Sequence, residues 1–532
     1  MFKFRYGFLI VFSAIFMVGC AKRGTITGGA KDTLAPVLKV SIPKNFSTNF
    51  SGKEIKLHFD EYVKLKDVNK QLVVSPPMNT APDISPLSSS KEISIKIKDT
   101  LLPNTTYSFN FGQSIQDNNE GNPYPQFKYV FSTGSQIDSL LVEGNIKDAL
   151  QKKTDNFVTV MLYEMNEKYN DSVVFKQKPR YITNTLESGS NFKIENIKAG
   201  NYVLIAVKDL NSNFKYDPQS DKIGFHKEVI SVPSTDNYEL KLFKQTPPFK
   251  TIPPTQVSGN KIILGYEGKQ KDLKVILKNG DAIVPSVMTK VEKRDSVQIW
   301  FPKMKVDSLY LSATKENYSK GYYLRIKEKK NDTIGFSASH NGLIHFREMF
   351  SLISLTPIKN IDESKIVFKN KDSIAVPFKV EYDEFNQKLN FNFKKEPLEK
   401  YVIHIAPDAF TDFFDSKSGK LDYKLETKST AEYGNLTIRL EKVKQFPVIV
   451  ELTNEKGDVQ ASTYVEKDPV ITFEGLVPAK FQMRVIYDDN KNGEWDPGNF
   501  IEKRQAEEVI YFPKELDVRA NWDVDQPFDL GN

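Results

Sequence analysis

Apolar and polar residues alternate with a period of two in many short segments of the chain. The segment EIKLHF places Ile55, Leu57 and Phe59 between polar neighbours, and FQMRV at 481–485 repeats the pattern. Such alternation is typical of a strand with one buried face. Asn, Gly, Pro and Asp separate the segments, and no long amphipathic helical pattern is evident. The sequence therefore predicts an all-β protein built from β-sandwiches.

A stretch near residue 200 recurs near residue 480. Residues 191–218, NFKIENIKAGNYVLIAVKDLNSNFKYDP, align with 471–497, ITFEGLVPAKFQMRVIYDDNKNGEWDP, so that Asp209 matches Asp488 at an offset of 279. Self-similarity of this length indicates the duplication of a structural module.

The repeat extends in both directions from this core. Downstream, KEVI ending at Ile230 aligns with EEVI ending at Ile510, which predicts that the second copy is one residue longer. Upstream, the segment around Phe59 resembles the segment around Phe346. We therefore expect a pair of sandwiches that occurs twice.

Between the two pairs lies a further β-rich stretch, in which Asn279-Gly280 predicts a tight hairpin. A chain of 532 residues has room for several domains. The expected boundaries are a signal peptide at 1–19, a lipidated cysteine and flexible tether at 20–35, one sandwich at 36–134, a loop-bearing sandwich at 138–245, a third β-rich module at 259–341, a second sandwich of the first type at 342–428, and a second loop-bearing sandwich at 431–532.

Residues 36–134 resemble the bacterial Ig-like domains that are common in envelope lipoproteins. The similar features are a proline before the first strand, Phe-Asp-Glu at 59–61 and the ending IQDNNEGNP at 115–123. The loop-bearing modules, with GNYVLIAVKD at 200–209, are similar to prealbumin-like sandwiches of the carboxypeptidase-regulatory type. These resemblances imply adhesion, spacing or docking rather than catalysis.

The N-terminus predicts export. Lys3 and Arg5 precede an apolar run at 6–18 that is too short to span a membrane, and the run ends in MVGC. MVGC resembles a bacterial lipobox, which implies that Cys20, the only cysteine, carries a lipid anchor. The alternative is an ordinary secreted protein whose cysteine falls there by chance.

Charge excludes one class of partner. The formal net charge of +6 falls to +4 without Lys3 and Arg5, which is close to balance for a chain of this length and does not predict nucleic-acid binding. We expect lipid anchoring in the outer membrane, and the sequence does not choose between the periplasmic and the cell-surface leaflet.

Both copies of the loop-bearing module carry an oxygen-rich loop after the aligned strand. Ca²⁺ prefers six to eight oxygen ligands, which an EF-hand-like loop supplies at fixed spacing. The sequence predicts weak, structural Ca²⁺ binding, while the alternative is two hairpin loops whose Asn and Asp side chains bond to nearby backbone. The candidate ligands are Asp488, Asn490, Asn492, the Glu494 carbonyl, Asp496 and Asn499 in the second copy, and Asp209, Asn211, Asn213, Asp217 and Asp221 in the first.

Motifs of catalysis are not evident, so we expect a protein that is not an enzyme. The sequence contains no H-E-x-x-H, no phosphate-binding loop and no complete nucleophile elbow. One hypothesis is a scaffold or accessory subunit that docks on an outer-membrane protein complex for barrel assembly, secretion or uptake. The alternative is a module that binds glycan or peptidoglycan.

Overall fold

The structure of the chain is a computed structural model that describes residues 32–185 and 189–531. Within these residues nearly all the regular secondary structure is β-strand, with two single-turn α-helices and two 3-10 turns. The predicted all-β fold of tandem sandwiches is therefore confirmed. None of the helices in the described segments is long and apolar enough to cross a membrane. The predicted anchor Cys20 and the signal peptide lie outside the described residues.

The chain divides into two compact units. The first runs to Leu141 and also takes in 180–186 and 194–199, and the second contains the remainder. Segments from the region 138–245 thus belong to both units.

The first unit contains a sandwich of two antiparallel sheets. One sheet has the order β1-β2-β5-β4, with β7 paired to β2, and the other has the order β3-β6-β8. Its elements are β1 (Leu38–Ile42), β2 (Glu54–Leu65), α1 (Val68–Gln71), β3 (Val73–Ser75), β4 (Asp83–Ser85), β5 (Ser90–Lys96), β6 (Thr106–Asn110), β7 (Ile115–Asp117) and β8 (Lys128–Ser132).

The two sheets of this sandwich enclose one hydrophobic core. Ile55 and Leu57 on β2 face Phe109 on β6 and Phe131 on β8, and all four are fully or almost fully buried. The alternating residues that the sequence assigned to a buried face therefore form this core.

The next region spans both units. Its elements are β9 (Leu140–Asp148), β10 (Thr159–Glu164), α2 (Val173–Lys176), β11 (Tyr181–Asn184), β12 (Asn191–Ile197), β13 (Gly200–Lys208), β14 (Lys222–Phe225), β15 (Ile230–Val232) and β16 (Asn237–Leu242). In the second unit β13 lies between β10 and β14 and also pairs with β15, while β16 runs parallel to β9.

Three further groups of strands follow in the second unit, and each encloses its own hydrophobic core. The first comprises β17 (Lys250–Thr251), β18 (Thr255–Ser258), β19 (Lys261–Glu267), β20 (Lys274–Asn279), β21 (Ala282–Val284), β22 (Val287–Lys290), β23 (Ser296–Trp300), β24 (Ser308–Lys315) and β25 (Tyr318–Arg325). Its sheets have the orders β17-β19-β23-β22, with β18 paired to β19, and β21-β20-β24-β25. The predicted hairpin is present, since Asn279 pairs with Ala282.

The second group begins at Phe336. It comprises β26 (Phe336–Ala338), β27 (Gly342–Leu343), β28 (Phe350–Ser354), β29 (Ile358–Ile361), a 3-10 turn (Glu363–Lys365), β30 (Ile366–Lys369), β31 (Phe378–Asp383), β32 (Lys388–Phe393), β33 (Lys400–Ile405), β34 (Phe410–Asp412) and β35 (Leu421–Glu426). Its main sheets have the orders β26-β28-β32-β31 and β27-β35-β33-β30.

The third group follows a second 3-10 turn (Thr430–Glu432). It comprises β36 (Gly434–Glu441), β37 (Val448–Thr453), β38 (Val459–Val465), β39 (Val470–Leu476), β40 (Ala479–Tyr487), β41 (Val509–Tyr511), β42 (Leu516–Val518) and β43 (Asp523–Asp529). Its sheets have the orders β39-β36-β43 and β38-β37-β40-β41, with β42 paired to β40.

Strand pairing corrects the alignment of the two copies after the acidic loop. Tyr202 pairs with Ile230, and its counterpart Phe481 pairs with Leu516. Leu516, rather than Ile510, is therefore the equivalent of Ile230. The offset rises from 279 to 286 across the loop, so the second copy carries seven extra residues instead of one. The alignment of KEVI with EEVI was wrong, although both segments contain E-V-I. Strand register depends on strand pairing rather than on local composition.

Buried aspartates close two other long loops. Asp117 accepts hydrogen bonds from the N–H groups of Glu120, Gly121 and Asn122 at 2.6–3.1 Å. Asp412 accepts from the N–H groups of Phe414 and Ser416, and from Thr356 Oγ1. Neither loop has strand neighbours for these N–H groups, so the carboxylates replace them.

Candidate functional site

The first acidic loop, residues 209–221, connects β13 to β14. Asp209 begins it: Oδ1 accepts the N–H of Asn211 at 3.1 Å, and Oδ2 accepts the N–H of Phe214 at 2.7 Å. Phe214 has a φ of 56°, in the left-handed region that favours glycine. The Asp209 carboxylate therefore holds a strained turn closed.

The second acidic loop, residues 488–497, repeats this geometry at an offset of 279. Asp488 accepts the N–H of Asn492 at 3.1 Å and that of Gly493 at 2.7 Å. Gly493 has a φ of 77° and lies where the first copy has Phe214. Glycine adopts this conformation without steric cost, so the turn is less strained in the second copy.

A second carboxylate closes each loop from the far side. Asp221 accepts the N–H groups of Leu210 at 3.1 Å and Asp217 at 2.9 Å. Glu507 accepts the equivalent N–H groups of Asp489 and Asp496, each at 2.9 Å. Glu507 is thus the structural counterpart of Asp221.

The spacing of residues in the sequence predicted Asn499 as the last ligand of the second loop and did not identify Glu507. The seven extra residues separate Glu507 from the rest of the loop, so its role is visible only once the register is known. The position of Glu507 could have identified it, because Glu507 lies just before β41 as Asp221 lies just before β14.

Burial and charge set the protonation of these groups. Burial raises the pKa of the Asp209 and Glu507 carboxyls above their ordinary values. Burial also acts to raise the pKa of Asp496, but Lys269 and two asparagine amides outweigh it and hold that pKa below its usual range. The second loop therefore concentrates negative charge that Lys269 balances.

The remaining candidate ligands of the first copy make contacts within the loop. Asn211 Nδ2 donates to Ser220 Oγ at 3.2 Å, and Asn213 Oδ1 accepts the N–H of Lys215 at 2.8 Å. Asp217 Oδ1 accepts the N–H of Gln219 at 2.9 Å.

In the second copy, Asp496 Oδ2 accepts from the side-chain amides of Asn490 at 2.5 Å and Asn492 at 2.6 Å. The Glu494 side chain pairs with Lys269 at 3.2 Å. Asn499 lies in the extra segment, where its Oδ1 accepts the N–H of Ile501 at 3.0 Å. The structure thus brings Asp488, Asn490, Asn492 and Asp496 into one bonded cluster and places Asn499 in a separate turn.

Oxygen-rich side chains fit the preference of Ca²⁺, but in this arrangement the same oxygens accept protein hydrogen bonds. Coordination would require Lys269 to leave Asp496 and the two asparagine amides to turn their oxygens inward. In residues 32–185 and 189–531, no group of three or more His, Cys, Asp or Glu side chains is arranged to hold a metal ion. Calcium binding stays a prediction.

Both acidic loops contact the same turn between β19 and β20. Gln219 of the first loop donates to Glu267 at 3.1 Å, and Lys269 pairs with Asp496 of the second loop at 2.9 Å. Gly268 between them has a φ of 82°, and a Cβ there would lie 2.7 Å from the Pro247 carbonyl oxygen. The turn at 267–269 therefore joins the two loops and requires glycine at its centre.

The segment between Pro497 and Glu507, residues 498–506, contains the seven extra residues of the second copy and is named the insert. Its Phe500 is fully buried, with ring-centroid distances of 5.4 Å to Phe225 and 6.3 Å to Phe175. Gly498 lies against Phe243, where a Cβ would come within 2.5 Å of the ring. The insert thus places an aromatic side chain of the second copy into the first copy.

Polar contacts surround this aromatic cluster. Lys503 pairs with Asp171 at 2.6 Å, and its ammonium lies 4.2 Å from the centroid of the Phe500 ring. Gln245 Oε1 accepts the N–H of Phe500 at 3.1 Å, and Gln505 donates to the Phe225 carbonyl at 3.0 Å. These bonds provide hydrogen-bond partners for the backbone groups that the insert buries.

A second contact between the copies lies on β40 and β41. The Arg484 side chain is almost fully buried, pairs with Glu451 at 2.7 Å and donates to the Leu150 carbonyl at 3.0 Å. Tyr511 donates to the same carbonyl at 2.8 Å. With the insert and the turn at 267–269, these contacts form what we call the junction.

Residues 32–133 match the family of bacterial Ig-like domains. This agrees with the resemblance at 36–134, and the segment is a bacterial Ig-like domain. Such a domain indicates a non-enzymatic surface or scaffold protein of the cell envelope. The comparison with curated proteins found no match.

Solved structures with similarity to the chain include surface-layer and pilin proteins. Domains 1–6 of the surface layer protein SbsC are 9% identical over 91% of this chain and 67% of that one, with a TM-score of 0.15. BcpA, the major pilin subunit of Bacillus cereus, is 9% identical over 74% of this chain and 99% of its own, with a TM-score of 0.14. Domains A168–A170 of titin are 10% identical over 52% and 98%, with a TM-score of 0.14. At such low TM-scores these similarities support no argument about arrangement, activity or partners.

Replacing Phe500 with Ala should destabilise the junction. Removing a fully buried phenylalanine costs about 3–5 kcal/mol, because a cavity remains. Urea unfolding of the full chain after the signal peptide measures the loss. Ile501→Ala is the control, since Ile501 is half exposed and should change stability by no more than about 0.5 kcal/mol. Equal effects of the two substitutions would contradict the role of Phe500.

Thermal melts in EDTA and in Ca²⁺ check the calcium prediction. At about 1 mM Ca²⁺ and a Kd of ~10⁻⁴–10⁻³ M, binding should stabilise the protein by about 0.4–1.4 kcal/mol. Lys269→Gln removes the competing ammonium and should increase the response, whereas Lys271→Gln, the control, should not. Identical melts with and without Ca²⁺ for all three proteins would leave the loops as hydrogen-bonded connections that need no metal.

Proposed function

We propose that this protein is a non-enzymatic outer-membrane lipoprotein, a scaffold or accessory subunit whose tandem sandwiches dock on an outer-membrane protein complex. The observation that carries the proposal is the bacterial Ig-like domain at 32–133, followed by further sandwiches within one chain. The complex serves barrel assembly, secretion or nutrient uptake.

Lipid anchoring rests on the N-terminal sequence. MVGC at 17–20 presents Cys20 as the lipidated residue, and several acyl chains on one cysteine hold a protein permanently on a bilayer. The tether up to residue 35 then carries the sandwiches away from the membrane surface.

The edge of the Ig-like domain supports docking. Strand β1 forms one edge of its sheet, and apolar side chains on and around it are exposed. Leu34, Val37, Val40, Ile42 and Phe46 are 48–73% exposed. An exposed strand edge can accept a strand from a partner, and exposed apolar side chains favour protein–protein contact.

The junction supports a scaffold rather than a flexible string of domains. Phe500 and Arg484 join the two loop-bearing modules through buried contacts, and Lys269 joins the module between them through a half-exposed ion pair with Asp496. A preformed arrangement avoids ordering costs when a partner binds. The second unit therefore offers one rigid surface to a complex.

Replacing Cys20 with Ser should release the protein from the membrane. Without the thiol there is no lipid attachment, so the protein should move from the outer-membrane fraction to the soluble fraction and lose the lipid mass from its N-terminus. Fractionation and mass spectrometry of the intact protein measure both effects. Lipid mass that persists in the Cys20→Ser protein would contradict anchoring at this residue.

The double substitution Val40→Lys with Ile42→Lys should abolish docking, because two charges would replace apolar contacts at the strand edge. Cross-linking in intact cells, followed by purification of the tagged protein, should recover an outer-membrane protein with the native chain but not with this variant. Ile283→Lys, at an exposed position on β21, is the control and should recover the same partner. Equal recovery with both variants would exclude β1 as the docking edge.

A further inference from the structure

A basic cleft lies where the third β-rich module meets the sandwich that follows it, within the second unit. Its volume is about 1000 Å³, which is at the upper end of the range for small-ligand sites. The walls come from 290–298 and 330–333 on one side and from 353–355 and 386–388 on the other.

Hydrogen bonds fix the floor of the cleft. The Trp300 side chain is fully buried and donates to Thr289 Oγ1 at 2.8 Å, and Thr289 donates in turn to Gln387 Oε1 at 3.0 Å. The backbone N–H of Lys290 also donates to the Phe385 carbonyl at 2.7 Å. Because the bonds from Thr289 to Gln387 and from Lys290 to Phe385 cross between the two sandwiches, the cleft is formed before any ligand arrives.

The lining is strongly basic. It contains five lysines against two carboxylates, Glu292 and Asp332, which leaves a net charge of +3. Lys261 pairs with Asp332 at 3.1 Å. Among the described residues, no ion pair or side-chain hydrogen bond involves the ammonium groups of the other four lysines, Lys290, Lys293, Lys330 and Lys388. A concave site of one charge sign concentrates ligands of the opposite sign.

The module that contains most of the cleft lysines also has a positive net charge. Residues 259–341 carry 16 Lys or Arg against 9 Asp or Glu, a net charge of +7. The chain after the signal peptide carries only +4, so all its other parts together are negative. The positive charge is therefore concentrated in the module that forms one side of the cleft.

Uncharged polar groups in the lining indicate that the anionic ligand also carries hydroxyl groups. Side-chain amides from Gln298, Asn331, Asn386 and Gln387 lie among the lysines. The Gln387 Nε2 and Asn331 Oδ1 atoms are themselves buried and have no hydrogen-bond partner in the described part of the chain. Side-chain amides suit hydroxyl groups, because both kinds of group donate and accept hydrogen bonds.

Other anions fit less well. The lining has no aromatic side chain on which a nucleic-acid base could stack. Its aliphatic side chains are only Ile353 and Leu355, too few for an acyl chain. We propose that the cleft binds an anionic oligosaccharide, whose carboxylate or phosphate groups pair with Lys290, Lys293 and Lys388 and whose hydroxyl groups meet the amides. This site is separate from the docking edge on β1 and does not depend on it.

Calorimetry with the full chain after the signal peptide tests the site at low ionic strength. The probes are a galacturonate pentasaccharide, which carries carboxylates, a phosphorylated mannose oligosaccharide, neutral maltopentaose, inorganic phosphate and a hexaglutamate peptide. We expect binding of one or both anionic oligosaccharides, and the stronger one identifies the acidic group. Maltopentaose and inorganic phosphate should not bind, and added salt should weaken the complex.

Lysine substitutions locate the binding. Each exposed charge pair contributes a factor of roughly 1.5 to 5 in affinity, so the triple variant Lys290→Gln, Lys293→Gln, Lys388→Gln should bind about 3-fold to 100-fold more weakly. The matched control, Lys274→Gln, Lys278→Gln, Lys320→Gln, removes the same charge from the opposite sheet of the same module and should keep native affinity. All six positions are on the surface, so melting temperatures should not change.

Three results would overturn the proposal. They are no binding of either anionic oligosaccharide, tighter binding of hexaglutamate than of both, and equal weakening by the two triple variants. The last would show that the overall charge of the module, rather than the cleft, attracts the ligand.

Discussion

Buried carboxylates that accept backbone N–H groups hold the long loops of this protein together. An all-β chain leaves N–H groups unpaired wherever a loop turns away from its sheet, and each such group is costly when buried. Asp117 and Asp412 satisfy them in two sandwiches, and the paired carboxylates Asp209 with Asp221 and Asp488 with Glu507 do so in the duplicated loops. The shape of every surface that these loops form depends on these bonds.

The two acidic loops share this pattern of hydrogen bonds, and both contact the junction. The first loop remained short and tolerates Phe214 in a left-handed conformation, with the Lys178 ammonium 5.8 Å from its ring. The second is seven residues longer, and this longer segment places Phe500 in the aromatic cluster of the first copy. The turn at 267–269 then contacts both loops. Two copies of one module are thus joined at one junction within the second unit.

Negative and positive charge are concentrated in different modules of the second unit. Asp488 and Asp496 of the second acidic loop lie near Glu507, and Lys269 from the basic module pairs with Asp496. The same module forms one side of the cleft, where the ammonium groups of Lys290, Lys293 and Lys330 make no ion pair or side-chain hydrogen bond with the described residues. One positively charged module therefore neutralises an internal acidic loop on one side and presents free ammonium groups on another.

The sequence by itself determined the all-β class, the Asn279-Gly280 hairpin and the first part of the repeat, because period-two alternation and turn residues act locally. The bacterial Ig-like domain came from the resemblance of its motifs, such as Phe-Asp-Glu at 59–61, to a known family. The sequence also located the acidic loops and the equivalence of Asp209 and Asp488, whose partners lie two to five residues away.

Only the tertiary structure decided the register after the loop, the role of Glu507, the burial of Phe500 and the place of the basic cleft. Each depends on partners far apart in the chain, such as Phe500 with Gln245 or Thr289 with Gln387. Such contacts follow from how sandwiches pack on one another, and a local pattern of polar and apolar residues does not encode that packing.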